Sequence, residues 1–394
     1  MVIPANDSSP RTSLRRSRPV RVTIAFFACA LVLAPTATAA GSDDARGASS
    51  NHAERFALFD AGARCTLPRL AQGPEGVAIL ERAEAGLTRP HGAVPVLHTE
   101  GTLPGRGIRD FSAKAREDFP VAQAMAFAYR MTGETRFRDA AERYLLAWAG
   151  TYRWSFNPID ETGFDALLIA SDLIEDDLSP DSQARLTDFW HRLSTGYLDA
   201  MDGAPINAHT NWQSHRIKLA TLAAYAIGDV ALIDRARAAY RRHVSGNIRA
   251  DGSVHDFHER DAIHYVTYNL DPLMTAALAA KVHGEDWFTW HNADGAAARD
   301  AILWLLPYAN GSRRHQEFVR STIKFDADRA AVGQPGYAGQ WDTGEAVNTL
   351  HLAALLDDRI RPEALALSTR VQKPAAPWMI LMNQTRSADP DCES

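Results

Sequence analysis

Apolar residues recur at helical spacing along most of this chain. Ala122, Met125, Ala126, Ala128 and Tyr129 form one stripe, Ala140, Ala141, Tyr144, Leu145 and Trp148 a second, and Ala220, Leu222, Ala223, Tyr225 and Ala226 a third. Positions three and four apart share a helix face, so each stripe predicts a helix with one buried side. Strand-like alternation is scarce before the last quarter. There, residues 333–342 are rich in Gly and turn formers, and residues 320–325 read as a short extended segment or a helix end, which leaves room for a small strand element.

The stripes are joined by a recurring turn. Tyr129 to Gly133-Glu134 leads into Phe137 and Ala140, Tyr225 to Gly228-Asp229 leads into Leu232 and Ala236, and Lys281 to Gly284-Glu285 makes a looser third copy. A glycine can supply the left-handed residue that ends one helix, and the acid after it favours the start of the next. Repeated helical hairpins of this kind imply a mainly all-α, stacked or closed array.

Two polar clusters interrupt the apolar pattern. The first runs Asn207-Ala208-His209-Thr210-Asn211-Trp212-Gln213-Ser214-His215-Arg216, and the second runs from Asp256 to Tyr268 with His258, Arg260, His264, Tyr265 and Tyr268. Counted along a helix, Asn211 and His215 lie one turn apart on one face and can converge on a ligand. Asn211 as a helix cap, His215 as a core histidine and Trp212 as core packing are the structural alternatives. If the second cluster is helical from about Glu259, Arg260 aligns with His264 and Asp261 with Tyr265. Arg260 can grip a carboxylate with its planar fork and Tyr265 can exchange a proton. Their structural alternatives are an Arg260–Asp261 ion pair and core aromatics at Tyr265 and Tyr268. No HExxH motif is present, and no metal is assigned.

Composition adds a compartment. Arg11, Arg15, Arg16, Arg18 and Arg21 precede an apolar core, Ile24 to Leu33, too short to span a bilayer, and Ala37-Thr38-Ala39 is a small-residue cleavage site. Residues 1–39 therefore read as a signal peptide that takes Cys29 with it, and the mature protein is expected in the periplasm or secreted. Residues 40–53 read as a flexible lead, 54–386 as the folded domain and 387–394 as a polar tail. Cys65 and Cys392 remain, and an oxidising compartment permits their pairing.

Losing the leader removes five Arg and one Asp and moves the formal charge from −6 to −10. An anionic substrate must then meet a local basic patch, because the overall field repels it. Residues 203–228 contain no acid but hold His209, His215, Arg216 and Lys218. A second basic run is Arg313, Arg314 and His315 with Arg320 and Lys324.

At these clusters the chain resembles the alginate lyase family. Asn207-Ala208-His209-Thr210-Asn211-Trp212 is similar to the family's Asn-Asn-His-Ser-Tyr-Trp, and Ala262-Ile263-His264-Tyr265 with Leu270-Asp271-Pro272-Leu273 is similar to its Ala-Leu-X-Tyr and Leu-X-Pro-Leu. The resemblance spans about residues 60–310, with close motif agreement at 207–282. It implies an incomplete α/α toroid that cleaves a 4-linked uronic-acid polymer, alginate, polymannuronate or glucuronan-like, by β-elimination. His209 falls on the family's catalytic histidine and Ala208 on the asparagine beside it. A second registration gives Asn211 and His215 those roles. The family arginine falls on His258, with Arg260 nearby, and Tyr265 transfers directly.

The resulting expectation has Asn211 and Arg260 neutralising the sugar carboxylate and Tyr265 serving as acid and base, with His215 as an alternative base. His209, Trp212, Arg216, His258, His264, Tyr268, Lys114 and Arg314 would bind substrate. The partner is an anionic polysaccharide, with no nucleic acid, no stable membrane association and no cofactor. Two alternatives remain: a glycoside hydrolase on a helical toroid, drawing a carboxyl pair from Asp160, Glu161, Glu259 and Asp261, and an exported polysaccharide binder that does not cut.

Overall fold

The computed structural model describes residues 54–203 and 205–387. The expected leader, the whole of the lead, and Cys392 lie outside the described residues; Cys65 is disulfide-bonded. The first helices are α1 (Ala61–Thr66), α2 (Pro74–Gly86), α3 (Gly107–Arg116), α4 (Asp118–Thr132), α5 (Thr135–Thr151), α6 (Pro158–Glu161), α7 (Asp165–Ile174) and α8 (Pro180–Asp202). They are followed by α9 (Asn211–Ile227), α10 (Val230–Asn247), α11 (His255–Arg260), α12 (Ile263–Val282), α13 (Ala298–Ala309), α14 (Lys324–Ala331), α15 (Val347–Leu356), α16 (Arg361–Val371) and α17 (Pro377–Ser387).

These helices form an α/α toroid. Its inner row is α4, α7, α9, α12 and α15, each packed on the next, and α5, α8, α10, α13 and α16 back them from outside. Sequence sorts the two layers. In α9 every residue but Trp212 is buried, and α7 and α12 are nearly as enclosed, as expected of helices apolar on most sides. Outer helices such as α10 keep one charged face, with Arg235 and Arg242 paired to acids of α8. Helix α17 packs on α15 at one end of the row and on α1 and α2 at the other.

The glycine turns work as the spacing predicts in two of three cases. Gly133 (φ 73°) and Gly228 (φ 67°) are left-handed caps of α4 and α9, and the Asp229 carboxylate accepts Leu232 N–H at 3.0 Å to open α10. Gly284 (φ 82°) follows the end of α12, but the next helix starts only at Ala298. The small strand element is reduced, among the described residues, to isolated bridges, Gln316 with Gln340 and Ile248 with Val254. Residues 324 and 325 open α14 instead of extending a strand.

The toroid has two unlike ends. At the C-terminal ends of the inner helices, Asp172 accepts backbone N–H groups of Ala57, Leu58 and Phe59 at 2.7, 2.7 and 3.4 Å, and the His283 ring stacks between Phe56 and Tyr225. The chain's first described residues therefore plug that end. The N-terminal ends of α9 and α12 face a cavity, and their partial positive charge favours an anion there. No helix among the described residues is long and apolar enough to cross a membrane.

Candidate active site

A cavity of about 300 Å³ sits at those N-terminal ends. Helix α3 contributes Arg109 and Arg116, α9 contributes Asn211 and Trp212, and α12 contributes His264, Tyr265 and Tyr268 from one face. Arg260 ends α11, and Phe325, Arg329 and Tyr337 complete the wall, Arg329 and Tyr337 beside Tyr265 and His264. Four arginines face one lining acid, Glu100. Arg260 is paired with the buried Asp326. Arg109 donates to the carbonyls of Thr99 and Thr102, Arg329 to two phenols, and among the described residues no carboxylate pairs with Arg109, Arg116 or Arg329. The cavity is thus cationic inside an acidic protein.

The start of α12 is set by a chain reversal absent from the sequence expectation. A helix continuous from Glu259 is not formed: α11 stops at Arg260, Asp261 adopts φ 52°, and α12 starts afresh at Ile263. The Asp261 carboxylate accepts from Arg320 N (2.9 Å) and Nη2 (2.7 Å), and its carbonyl accepts from Phe318 N (2.9 Å). Glu317 then accepts the N–H groups of Ile263 (2.8 Å) and His264 (3.1 Å), occupying orphan donors of the new helix. Burial pushes the Glu317 carboxyl up to about 8.

The break points Arg260 back toward Tyr265. The Tyr265 hydroxyl accepts from Arg260 Nη1 at 3.0 Å and Arg329 Nη1 at 2.8 Å, and the Arg260 guanidinium stands 4.2 Å from the tyrosine ring centroid. Only 5% of Tyr265 is exposed, yet it lines the cavity. Beside it, His264 Nδ1 lies 2.9 Å from Glu345 Oε2 and Nε2 lies 3.5 Å from the Tyr337 hydroxyl. Burial pushes Tyr268 up to about 12, with Tyr265 adding to the effect. Asn211 donates its side-chain N–H to Asp256 Oδ1 at 2.6 Å and its backbone N–H to the same oxygen at 2.9 Å. Asp256 also receives Asn247 Nδ2 at 3.2 Å, and burial lifts it to about 6. Thr210, not Asn211, is the capping residue of α9.

Six sequence-predicted residues meet at this cavity: Asn211, Trp212, Arg260, His264, Tyr265 and Tyr268. The other six do not line it. His215 is buried behind the wall, bonded through Nδ1 to Thr162 Oγ1 (2.7 Å), its ring 4.5 Å from that of Tyr268. Burial, then Lys218, holds it well below the usual histidine value, so it is neutral. Arg216 is buried beside Gln213 and under the Trp212 ring. His209 is exposed, its ring against Gly246 of α10, and His258 bonds Ser253. Lys114 pairs with Glu117 at the surface, and Arg314 is exposed. The carboxyls considered for hydrolysis are absent from the lining as well: Asp160 holds Thr99 and Glu100, Glu161 holds Tyr152 and Tyr197, and Asp261 holds Arg320.

A sequence model described as alginate lyase matches residues 69–315, more than half of the chain. The chain belongs to the alginate lyase family. Members are polysaccharide lyases, and this is the enzyme class of the protein. Solved structures agree in fold. An alginate lyase from Bacteroides ovatus shares 15% identity at a TM-score of 0.59, covering 85% of this chain and 97% of its own. A tyrosine-to-phenylalanine variant of alginate lyase A1-III complexed with a tetrasaccharide shares 16% at 0.52, covering 75% and 88%. The enzyme A1-III of Sphingomonas species A1 shares 17% at 0.50, covering 76% and 89%. No curated protein matches the chain by sequence.

The alginate lyase match ends before Phe325, Arg329 and Tyr337, which complete the cavity, and before Glu345, which faces His264 from behind it. Sequence reasoning missed Arg109, Arg116, Arg329 and Tyr337. One signal was available: Arg109 and Arg116 stand seven apart, two turns along one face of α3.

Proposed function

We propose that this lyase cleaves a 4-linked uronic-acid polymer of the alginate, polymannuronate or glucuronan type by β-elimination, with Tyr265 passing a proton to the departing O4. The observation that carries the reading is the Tyr265 hydroxyl, held at the cavity wall by two guanidinium groups, Arg260, which is paired with Asp326, and Arg329, which among the described residues has no carboxylate partner. Breaking the C5–H bond places charge on the adjacent carboxylate, and fixed cationic and amide donors stabilise it. Arg116, Arg329 and Asn211 are the groups placed for that task. Arg260, already neutralised by Asp326, serves the phenol and not the sugar. Trp212 and Tyr268 offer aromatic surface to the ring. Crystals of alginate lyase A1-III variants hold a tetrasaccharide, which supports an anionic oligosaccharide as occupant here.

Polymannuronate, mixed alginate and glucuronan are incubated with the protein while the absorbance of the unsaturated product is followed. At least one polymer yields product, and Tyr265→Phe slows turnover by about 10²-fold or more. No unsaturated product from any polymer, or an unaltered rate in Tyr265→Phe, rejects the assignment.

A further inference from the structure

We infer that His264 is the base of this elimination, oriented by Glu345, and that the Tyr337 hydroxyl returns its proton to Tyr265; the inference rests on the lyase reading above. Imidazole is a suitable proton acceptor near neutral pH, and one predicted histidine lines the cavity. His209 is exposed, packs against Gly246 and does not line the cavity, and His215 is buried beside Tyr268 with Nδ1 occupied by Thr162. His264 instead shares the cavity face of α12 with Tyr265 and Tyr268.

Its surroundings assign the two ring nitrogens. Glu345, which also accepts from Trp341 Nε1 at 3.1 Å, faces Nδ1 at 2.9 Å, so Nδ1 carries the hydrogen and Nε2 presents its lone pair. Nε2 points to the Tyr337 hydroxyl at 3.5 Å. Arg329 Nη1 donates both to that hydroxyl and, at 2.8 Å, to the Tyr265 hydroxyl, so one donor holds the two phenol oxygens close together. The charged and titratable groups around the imidazole are Glu345 from the turn after Asp342, Glu317 beneath its backbone N–H, the three tyrosines 265, 268 and 337, and Arg329 beyond Tyr337.

The proton circuit closes within these residues. The C5–H bond breaks, its proton goes to His264 Nε2, and its electron pair becomes the C4=C5 double bond as the C4–O4 bond breaks. O4 departs with the bonding pair and takes the Tyr265 hydroxyl proton. The imidazolium and phenolate left behind are neutralised when Nε2 gives its proton to Tyr337 and Tyr337 gives its own to Tyr265. No outside acid, base or oxidant is consumed. Tyr337 and Glu345 lie beyond the span matched to the family, so this base is supplied with the help of the chain's last third.

Steady-state kinetics on whichever uronate polymer the wild-type protein cleaves tests the inference. His264→Ala lowers kcat by about 10²- to 10⁴-fold with KM held within about threefold, the range of a positioned general base. Added imidazole then restores part of the rate in His264→Ala and none in Tyr265→Phe. As a positioning residue, Glu345 shows its effect in kcat: Glu345→Gln loses about tenfold at constant KM, and Glu345→Asp recovers part of it. Thermal unfolding checks each variant, and His264→Gln replaces His264→Ala if the latter unfolds. A kcat within about threefold of wild type, a loss confined to KM, or no rescue by imidazole overturns the base role while leaving the lyase reading standing. A wild-type protein without product on every polymer overturns that reading, and this inference with it.

Discussion

The two guanidinium groups on Tyr265 are not equivalent. Arg260 is bound to Asp326, whose other oxygen receives Ser321 Oγ at 2.8 Å, so its charge is balanced and its position fixed. Arg329 meets only phenol oxygens among hydrogen-bond acceptors and keeps a net charge for substrate. Arg329→Ala is therefore expected to lower kcat by about 10²-fold, the loss typical of one donor removed from a site of developing charge. Arg329→Lys keeps the charge but loses the rigid guanidinium whose Nη1 reaches both hydroxyls, and falls between the two. Equal kcat in all three proteins would remove Arg329 from the chemistry. Tyr265 and His264 were legible as neighbours because they stand with Tyr268 on one face of α12, whereas Arg260 reaches the cavity across a break that its spacing did not show. Arg329 was not legible: an arginine in a short charged helix has no local mark, and only the fold carries it to Tyr265. His215 misled for the opposite reason, since one-turn spacing from Asn211 specifies a shared face but not how deep each side chain lies.

At the scale of elements, the inner helices were readable because an all-round apolar pattern can be satisfied only between layers. The break between α11 and α12 was not, because nothing in Arg260-Asp261-Ala262 requires a left-handed residue. Asp tolerates that conformation, and the partners that hold it, Glu317, Phe318 and Arg320, lie more than fifty residues away. The break is what brings Arg260 to Tyr265, so its backbone can be tested apart from its charge. Asp261→Gly keeps φ 52° without strain and loses the carboxylate's bonds to Arg320, one from its backbone N–H and one from its mostly exposed guanidinium. Asp261→Val places a β-branched residue in the left-handed region, costs about 2 kcal/mol or more, and displaces the first turn of α12. Denaturant unfolding and kcat should both rank wild type and Asp261→Gly above Asp261→Val. A valine variant as stable and active as the glycine variant would mean that the left-handed turn is not needed.

The whole molecule buries acids on both sides of its core, and this shapes its stability against pH. Asp172 under the N-terminal plug and Asp256 under Asn211 are raised to about 6, Glu175 and Asp271 to about 7, and Glu317 to about 8, burial being the largest cause in each. A carboxyl whose folded value is raised holds its proton longer in the fold than in the unfolded chain. Its contribution is full below the unfolded value near 4 and is lost as pH rises through the folded value. Buried imidazoles act in the opposite direction: His243, lowered to about 4, and His215, also lowered, stay neutral in the fold and favour it above the unfolded value near 6.5. The two groups oppose one another between about pH 4 and 6.5. Above that these histidines are neutral in both states, while Glu175, Asp271 and Glu317 still titrate in the fold. The unfolding midpoint should thus fall between about pH 6.5 and 8.5, by roughly 1 to 2 °C for each kcal/mol lost in a chain of this size. Glu317→Gln cannot lose a proton there, so its midpoint falls less over the same interval, whatever its absolute stability. A wild-type midpoint that rises across this window, or an equal slope in the variant, would show that Glu317 enters the folded state already ionised, with the amide groups of Ile263 and His264 outweighing its burial.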